Sequence, residues 1–239
     1  MKIGIIGSKG RMGQTLMALT PKIAGAELVG GVDKGDNVEE FITKCDAVID
    51  FTTPETSIQF AWDVAKHHKI HVIGTTGFTD AQIDKLRDYA KEATIFWSPN
   101  MSIGVNLTAM LAKKASELLD SSYDIEILEM HHRFKKDSPS GTALLLGEAA
   151  ATGRKAKFTR NIQHDRNGER KAGEIGYAVL RGGSVIGDHT VMFAGDNDRV
   201  EITHKAQTRD IFASGAIKAA LWCKEKPRGF YTMADMLKL

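Results

Sequence analysis

"KIGIIGSKGRMG", residues 2–13, sets a short apolar run against a loop with glycine at positions 7, 10 and 13. An unbroken apolar run of this length reads as a strand buried on both faces. The stretch that follows, "MGQTLMALT", reads as a helix. Strand, glycine loop and helix in that order form the context of a dinucleotide-binding turn. Glycines permit a tight turn, close approach of backbone to a pyrophosphate, and close helix–strand packing, while the first helical amides face the anion. The spacing is G-x-x-G-x-x-G rather than the commoner G-x-G-x-x-G, so a ligand-free glycine turn is the competing reading.

Working outward, "AELVGGVD" (26–33), "DAVIDF" (46–51), "IHVIGTTG" (70–77) and "TIFWSPN" (94–100) read as four further strands. Between them lie helical stretches with recognisable starts. Thr53 is placed to cap with Pro54 at the first helical position, and Thr79 and Gln82 stand at capping-box spacing. Strands alternating with helices predict a doubly wound, Rossmann-like parallel sheet in an α/β domain. Asp33 ends the second strand, 20 residues past Gly13, where an acid accepts hydrogen bonds from an adenosine ribose. Lys34 beside it could meet a 2′-phosphate, so the pair suggests that both NADH and NADPH are accepted; the alternative is a plain polar turn. "GTTG" (74–77) and "SPNMS" (98–102) end strands at the edge where an open sheet binds ligands, and offer partners for nicotinamide and ribose.

After Asn106 the rhythm changes. A helix through "LTAMLAKKASELL" leads to a strand in "YDIEILEMHH", then to the helix "SGTALLLGEAAATG", with Ser140 as N-cap and Gly153 as its C-terminal stop. The basic stretch 154–174 carries no assignable pattern. "IGYAVLR", "VIGDHTVMFA" and "RVEITHKA" are strands separated by "GGS" and "GDND" turns, which predicts a smaller α+β domain with a mixed or antiparallel sheet. The chain closes on the helix "RDIFASGAIKAALWCKEK" and a tail. The expected division is 1–103 with 213–239, and 104–212.

The totals exclude several classes. A length of 239 residues, 42% hydrophobic and 26% charged, fits an ordinary globular protein. A net charge of +2 gives no footprint for a nucleic-acid partner. No apolar run approaches the roughly 18 residues of a membrane span, and the N-terminus turns to glycine and charge too soon for a signal peptide. Cys45 and Cys223 form no metal or redox spacing. A cytoplasmic protein is expected.

"EMHHRFKKDSPSGTA" (129–143) is the chemically dense segment. Histidine is near half-protonated at neutral pH and so can give and take protons. Adjacent histidines on a strand point to opposite faces, so His131 and His132 do not readily share a metal, and no metal site is expected. His67, His68, His71 and His164 are read as structural. Lys135 supplies a cation, and Ser140, Gly141 and Thr142 open a helix whose amides and hydroxyl can hold a carboxylate. The segment suits a small acid, preferably a dicarboxylic one.

Residues 126–143, "EILEMHHRFKKDSPSGTA", closely resemble the signature of the dihydrodipicolinate reductase family. "GSKGRMG" at 7–13, "DFT" at 50–52, "GTTG" at 74–77, "PNMSIGVN" at 99–106 and "RGGSVIGDHTVMFAG" at 181–195 are also similar to it. The resemblance implies NADH- or NADPH-dependent reduction of a cyclic, unsaturated pyridine-2,6-dicarboxylate derivative to tetrahydrodipicolinate, in the diaminopimelate route to lysine. It implies His131 as acid/base residue, Lys135 as second proton donor or carboxylate partner, and His132, Ser140, Gly141 and Thr142 at the substrate carboxylates. Gly7, Ser8, Lys9, Gly10, Arg11, Met12, Asp33, Lys34, Gly74, Thr75, Thr76, Ser98, Pro99, Asn100 and Met101 would line the cofactor. It further implies a homotetramer built through the second domain's sheet, with the C-terminal segment returning to the first domain. Asp33 and Lys34 stand where the family has a Glu-Arg pair, Thr53 where some members have arginine, and Met101 where others carry an aromatic. The chain is short for the family, with the missing residues expected between the glycine loop and the third strand.

Two other readings compete. A dinucleotide-sensing protein would not need His131 and Lys135 beside a carboxylate-binding helix start. A semialdehyde dehydrogenase would need a nucleophilic cysteine, and neither Cys45 nor Cys223 has a site-like context.

Overall fold

A computed structural model describes residues 1–156 and 168–238. His164 and most of the unassigned basic stretch lie outside the described residues. The chain divides into two compact units, Met1–Ile103 with Asp210–Leu239, and Gly104–Arg209. Among the described residues no helix is long and apolar enough to cross a membrane.

The first unit carries β1 (Lys2–Ile6), α1 (Arg11–Leu19), β2 (Glu27–Val32), α2 (Val38–Thr43), β3 (Ala47–Asp50), α3 (Pro54–Lys66), β4 (Ile70–Ile73), α4 (Asp80–Tyr89) and β5 (Thr94–Trp97). Its six-stranded sheet has the order β10-β5-β4-β3-β1-β2, where β10 is Gly229–Tyr231, and every pairing is parallel. The unbroken apolar runs follow from two-sided cover. Ile3, Ile5, Ala47, Ile49, Val72 and Phe96 pack into a core with Leu16 of α1 and Ala216, Ile217 and Ala220 of α7 (Asp210–Cys223). Val48, Ile73 and Ile95 point the other way, toward Ala61 and Val64 of α3 and Leu86 of α4. Two polar groups interrupt that second core: His71 and Asp50 are both fully buried, with Nε2 and Oδ2 3.4 Å apart.

The expected caps of α3 and α4 form. Thr53 accepts the Thr56 amide with Pro54 at N1, and Thr79 with Gln82 closes a reciprocal capping box. Two parts of the unit escaped the sequence reading. The segment read as a tail supplies strand β10 beside β5 and the short helix α8 (Met233–Leu237), and the six-residue α2 was not foreseen.

The second unit holds α5 (Ile103–Leu118), β6 (Asp124–His131), α6 (Gly141–Gly153), β7 (Ile175–Arg181), β8 (Gly187–Ala194) and β9 (Arg199–Ala206). Its sheet order is β7-β6-β8-β9, with β6–β7 parallel and the other pairs antiparallel, so the sheet is mixed. Burial alternates strictly along β6 and β8. Ile125, Ile127, Tyr177, Val191 and Phe193 turn inward against Ala143, Leu146 and Ala150 of α6 and Ala112 of α5. Helix α6 ends at Gly153 as expected, while the left-handed conformation falls to Lys155, at φ 56°. Gly153 is instead the point where α6 crosses α5, since a Cβ there would lie 2.3 Å from the Lys113 carbonyl.

At the head of β1 the glycine loop is tied to the end of β2: the Gly7 and Ser8 amides both donate to the Val32 carbonyl, at 2.9 and 3.1 Å. Gly7 adopts φ +76°, which favours glycine. Gly13 is required for a different reason, because a Cβ there would sit 2.1 Å from the Gly7 carbonyl oxygen. Backbone cannot yield as a flexible side chain can, so Gly13→Ala is expected to cost about 1–3 kcal/mol of stability, as overpacking does. Urea unfolding of the variant checks this; a midpoint equal to that of the unmodified protein would show that the loop tolerates the methyl.

Candidate functional site

In an open parallel sheet, ligands bind beyond the carboxyl ends of the strands where the order reverses. That point here lies at β1, whose neighbours β2 and β3 continue in opposite directions. An open cleft of about 700 Å³ occurs there, lined by Gly7 of the glycine loop, Thr52 after β3, and the turn from Asp33 to Glu39. Asp33 is built into this turn. Its Oδ2 accepts the Lys9 amide and its Oδ1 the Lys34 amide, each at 2.9 Å, while its own amide donates to Asp36 Oδ2 at 2.8 Å. The Lys9 and Lys34 amides hold the Asp33 carboxyl below its ordinary pKa.

The other expected cofactor residues differ in what they present. Gly7 lines the cleft, and Gly10 caps α1, whose first residues are Arg11 and Met12. Ser8 is partly buried against Gly31, where a Cβ would meet the Ser8 Cβ at 2.3 Å. Lys34 lines the cleft with Asp33. Gly74 leaves room for the Phe51 ring, which a Cβ would meet at 2.2 Å. Thr75 is buried, its hydroxyl accepting from Ser57 at 2.9 Å, whereas Thr76 is exposed. Ser98 is buried and donates to the Asn100 carbonyl at 2.7 Å, Pro99 is exposed, and Asn100 accepts the Ser102 amide at 2.9 Å. Met101 is 1% exposed within the core of the first unit, and its carbonyl lies under α7, where a Cβ on Gly215 would meet it at 1.8 Å.

The second unit assembles a different site from the inward row of its sheet. His131 and Glu129 are two residues apart on β6 and share the inward face. His131 Nδ1 hydrogen-bonds to Glu129 Oε2. Glu129 is fully buried, yet its carboxylate is saturated with donors. Arg181 of β7 donates to both oxygens at 3.1 Å, and the Ser140 amide donates to Oε1 at 3.0 Å. Burial pushes the Glu129 pKa up, but His131, Arg181 and the Ser140 amide together outweigh it and bring it to about 2. A carboxylate so held fixes the Nδ1–H tautomer of the imidazole and leaves Nε2 for proton exchange. Room beside that nitrogen depends on Gly187 of β8, where a Cβ would stand 2.9 Å from His131 Nε2.

Ser140 joins this array to helix α6. Its hydroxyl accepts the Ala143 amide at 3.1 Å as N-cap and lies 2.9 Å from His189 Nε2. His189 stacks edge-on to His131, with centroids 5.0 Å apart, and burial pushes its pKa down to about 4. His189 is therefore a neutral hydrogen-bonding partner near neutral pH. Gly141 and Thr142 form the first turn of α6, with Gly141 exposed. His132 lies just past the end of β6 and accepts the Phe134 amide at 3.2 Å. Its pKa is lowered by burial and then by Arg209 and other nearby cations. Lys135 is held by Asp137, at 2.9 and 2.8 Å to the two oxygens.

The structure thus brings His131 and Ser140 together through Glu129, a partner the residue-by-residue reading gave no role, together with Arg181 and His189. Glu129, His131 and His189 have the ligand types of a small metal cluster. The same carboxylate already carries a cationic partner, the Arg181 guanidinium 3.1 Å from its Oε1.

Two family models match successive parts of the chain: "Dihydrodipicolinate reductase, N-terminus" over residues 1–101, and "Dihydrodipicolinate reductase, C-terminus" over residues 104–237. The 4-hydroxy-tetrahydrodipicolinate reductase of Brucella abortus is 46% identical over 266 aligned positions, covering 100% of this chain and 99% of the relative. The enzyme named 4-hydroxy-tetrahydrodipicolinate reductase 1 in Mesorhizobium japonicum is 45% identical, covering 100% and 97%. Among solved structures, the dipicolinate-bound dihydrodipicolinate reductase of Paenisporosarcina sp. TG-14 superposes with a TM-score of 0.78 at 26% identity, over 99% of this chain and 98% of that one. A probable dehydrogenase of Thermotoga maritima, 13% identical with a TM-score of 0.63, shares the fold. With an imidazole–carboxylate pair in the signature segment and both family halves matched in order, the chain belongs to the dihydrodipicolinate reductase family.

Proposed function

We propose that the protein is a 4-hydroxy-tetrahydrodipicolinate reductase, using NADH and/or NADPH in the diaminopimelate route of lysine biosynthesis in the cytoplasm. The single observation that carries this reading is the buried array around His131, which a dinucleotide sensor has no use for. The first unit takes the cofactor and the second takes the substrate. The cofactor supplies a hydride, two electrons and one proton equivalent, to the ring of a cyclic dicarboxylate. The enamine that remains needs one proton on carbon. His131 holds that proton on Nε2 while Glu129 keeps Nδ1 protonated, and the imidazolium is stabilised by this carboxylate, which it shares with Arg181.

The two substrate carboxylates need cationic or amide partners. Gly141 and Thr142 at the start of α6 offer a helix N-terminus, and His132 and Lys135 lie in the preceding loop. A substrate carboxylate that engages Lys135 exchanges with Asp137, which holds it in the free protein. The dipicolinate bound to the Paenisporosarcina relative is a molecule of this class and supports the reading.

The homotetramer implied by family resemblance finds support in the outer face of the four-stranded sheet. Leu128 and Met130 of β6 and Met192 of β8 are half-buried there, and Leu180 of β7 is 49% exposed beside Met130. We assign that face to contacts between copies.

Freshly generated cyclic substrate should cause oxidation of NADH or NADPH, followed by nicotinamide absorbance and blocked by dipicolinate. Tight cofactor binding without turnover would favour the sensor. His131→Gln is expected to lower kcat by about 100-fold or more, the usual size of a general-acid contribution; an unchanged kcat removes His131 from that role. Glu129→Gln should lower kcat at least about tenfold through loss of the tautomer it enforces, with cofactor affinity unaltered. Steady-state rates paired with fluorescence titration of the cofactor separate those effects. Leu180→Glu should shift the mass measured by light scattering from that of a tetramer to a smaller species, and an unmoved tetramer places the interface elsewhere.

A further inference from the structure

The proposed reaction gives His131 its proton chemistry and leaves the second buried imidazole of that site, His189, without a task. His189 is 4% exposed on the inward face of β8, edge-on to His131 with ring centroids 5.0 Å apart. Burial, and after it the charge of His131, push its pKa down to about 4, so it is neutral wherever His131 works. A neutral imidazole has one N–H donor and one acceptor nitrogen, and its neighbours decide which is which. Nε2 lies 2.9 Å from Ser140 Oγ. Nδ1 is buried with no hydrogen-bond partner among the described residues, and His204, directly across on β9, gives it none.

Counting the bonds at Ser140 separates the two tautomers. A serine hydroxyl has one proton to give and two lone pairs. One lone pair accepts the Ala143 amide at 3.1 Å, as the N-cap of α6. If His189 carries its proton on Nδ1, the hydroxyl spends its own proton on Nε2, and the Nδ1–H is buried with nothing to receive it. With the proton on Nε2, the ring donates to the second lone pair, and the hydroxyl proton is left over at the start of α6. Gly141 is exposed there, with open space on the side where a Cβ would stand. An anion at that point accepts the Ser140 proton in a charge-assisted bond, roughly twice as strong as a neutral one. Its arrival favours the Nε2–H form.

Resting on the reductase reading for the identity of that anion, we propose that His189 is a positioning residue, which donates from Nε2–H to Ser140 Oγ and so turns the Ser140 hydroxyl onto a carboxylate of the substrate. The two neighbouring imidazoles then hold opposite neutral tautomers. Glu129 keeps the proton of His131 on Nδ1 and frees Nε2 for the reacting carbon, while the bound carboxylate keeps the proton of His189 on Nε2. Glu129 also accepts the Ser140 amide at 3.0 Å, so the serine is tied to both histidines at once.

The first test is the proton–nitrogen NMR spectrum of the histidine rings in the unmodified protein, saturated with dipicolinate and nicotinamide nucleotide at neutral pH. His189 should show the Nε2–H tautomer; a proton on Nδ1 in that complex overturns the inference. The second is kinetic. His189→Leu should raise the KM for the cyclic substrate and the Ki for dipicolinate about tenfold, the size of one hydrogen bond to a charged group. Its kcat should fall much less, and nucleotide affinity by fluorescence titration should hold. His189→Gln should recover most of the loss, because its amide nitrogen can donate to the same hydroxyl. Adding His189→Leu to Ser140→Ala should cost little beyond Ser140→Ala alone, since the two act as one unit. An unchanged Ki in His189→Leu, or a loss that glutamine does not relieve, counts against the proposal. Should His189→Leu fail to fold, the spectrum of the unmodified protein decides. If the unmodified protein neither binds dipicolinate nor oxidises nucleotide with the cyclic substrate, the reductase reading fails and takes the inference with it. Binding and turnover with the wrong tautomer strike the inference alone.

Discussion

The Glu129–Arg181 ion pair is the interaction on which the second unit's chemistry depends. Taking a carboxylate out of water costs several kcal/mol, and a single lost partner would leave that cost uncompensated. Glu129 meets it with a two-pronged guanidinium, a backbone amide and an imidazole. These partners come from β6, β7 and the N-cap of α6, so one charge locks three elements together. Arg181 extends the lock by donating to the Asp137 carbonyl at 2.8 Å, which fixes the loop carrying Lys135. Because Glu129 is held ionised well below the usual carboxylate range, its contribution is present above the unfolded value. It is lost only as pH falls toward about 2.

The first unit solves a different problem. Its sheet is covered on both faces, and alternate residues of β1, β3, β4 and β5 feed two separate cores. Asp50, beside the buried His71 of β4, accepts the Thr52 amide at 2.8 Å and starts the turn into α3. The same edge carries the glycine loop and Asp33. The loop is tied there by the Gly7 and Ser8 amides, which donate to the Val32 carbonyl, and by the Asp33 carboxylate, which accepts the Lys9 amide.

Much of this was legible in the sequence because it is local. The five continuous apolar runs, the Thr53–Pro54 and Thr79–Gln82 helix starts, and the Ser140 cap depend on residues within four positions of one another. The missed elements lack such signals. Strand β10 is three residues long and owes its existence to Thr94, Ile95 and Phe96 of β5, far away in sequence. Helix α2, at six residues, is too short to show a period. The His131 array was half legible. Ile125, Ile127, Glu129 and His131 form one inward row, and a glutamate in such a row demands a counter-charge. The sequence could raise that demand but could not identify Arg181, 52 residues away, as its answer.

The chain enters its first sheet, leaves it for the whole of Gly104–Arg209, and returns to lay β10 against β5. Translation delivers about 5–20 residues each second. The ribosome therefore exposes five strands of the nucleotide unit for several seconds or more before the residues of α7 and β10 emerge. During that interval Ile3, Ile5, Ile49 and Phe96 lack the helix that will cover them, and β5 presents an open edge. The inserted unit, contiguous in the chain, is under no such delay. The order of synthesis thus favours a protein whose inserted unit is finished first, and whose split first unit is the one a chaperone would have to guard.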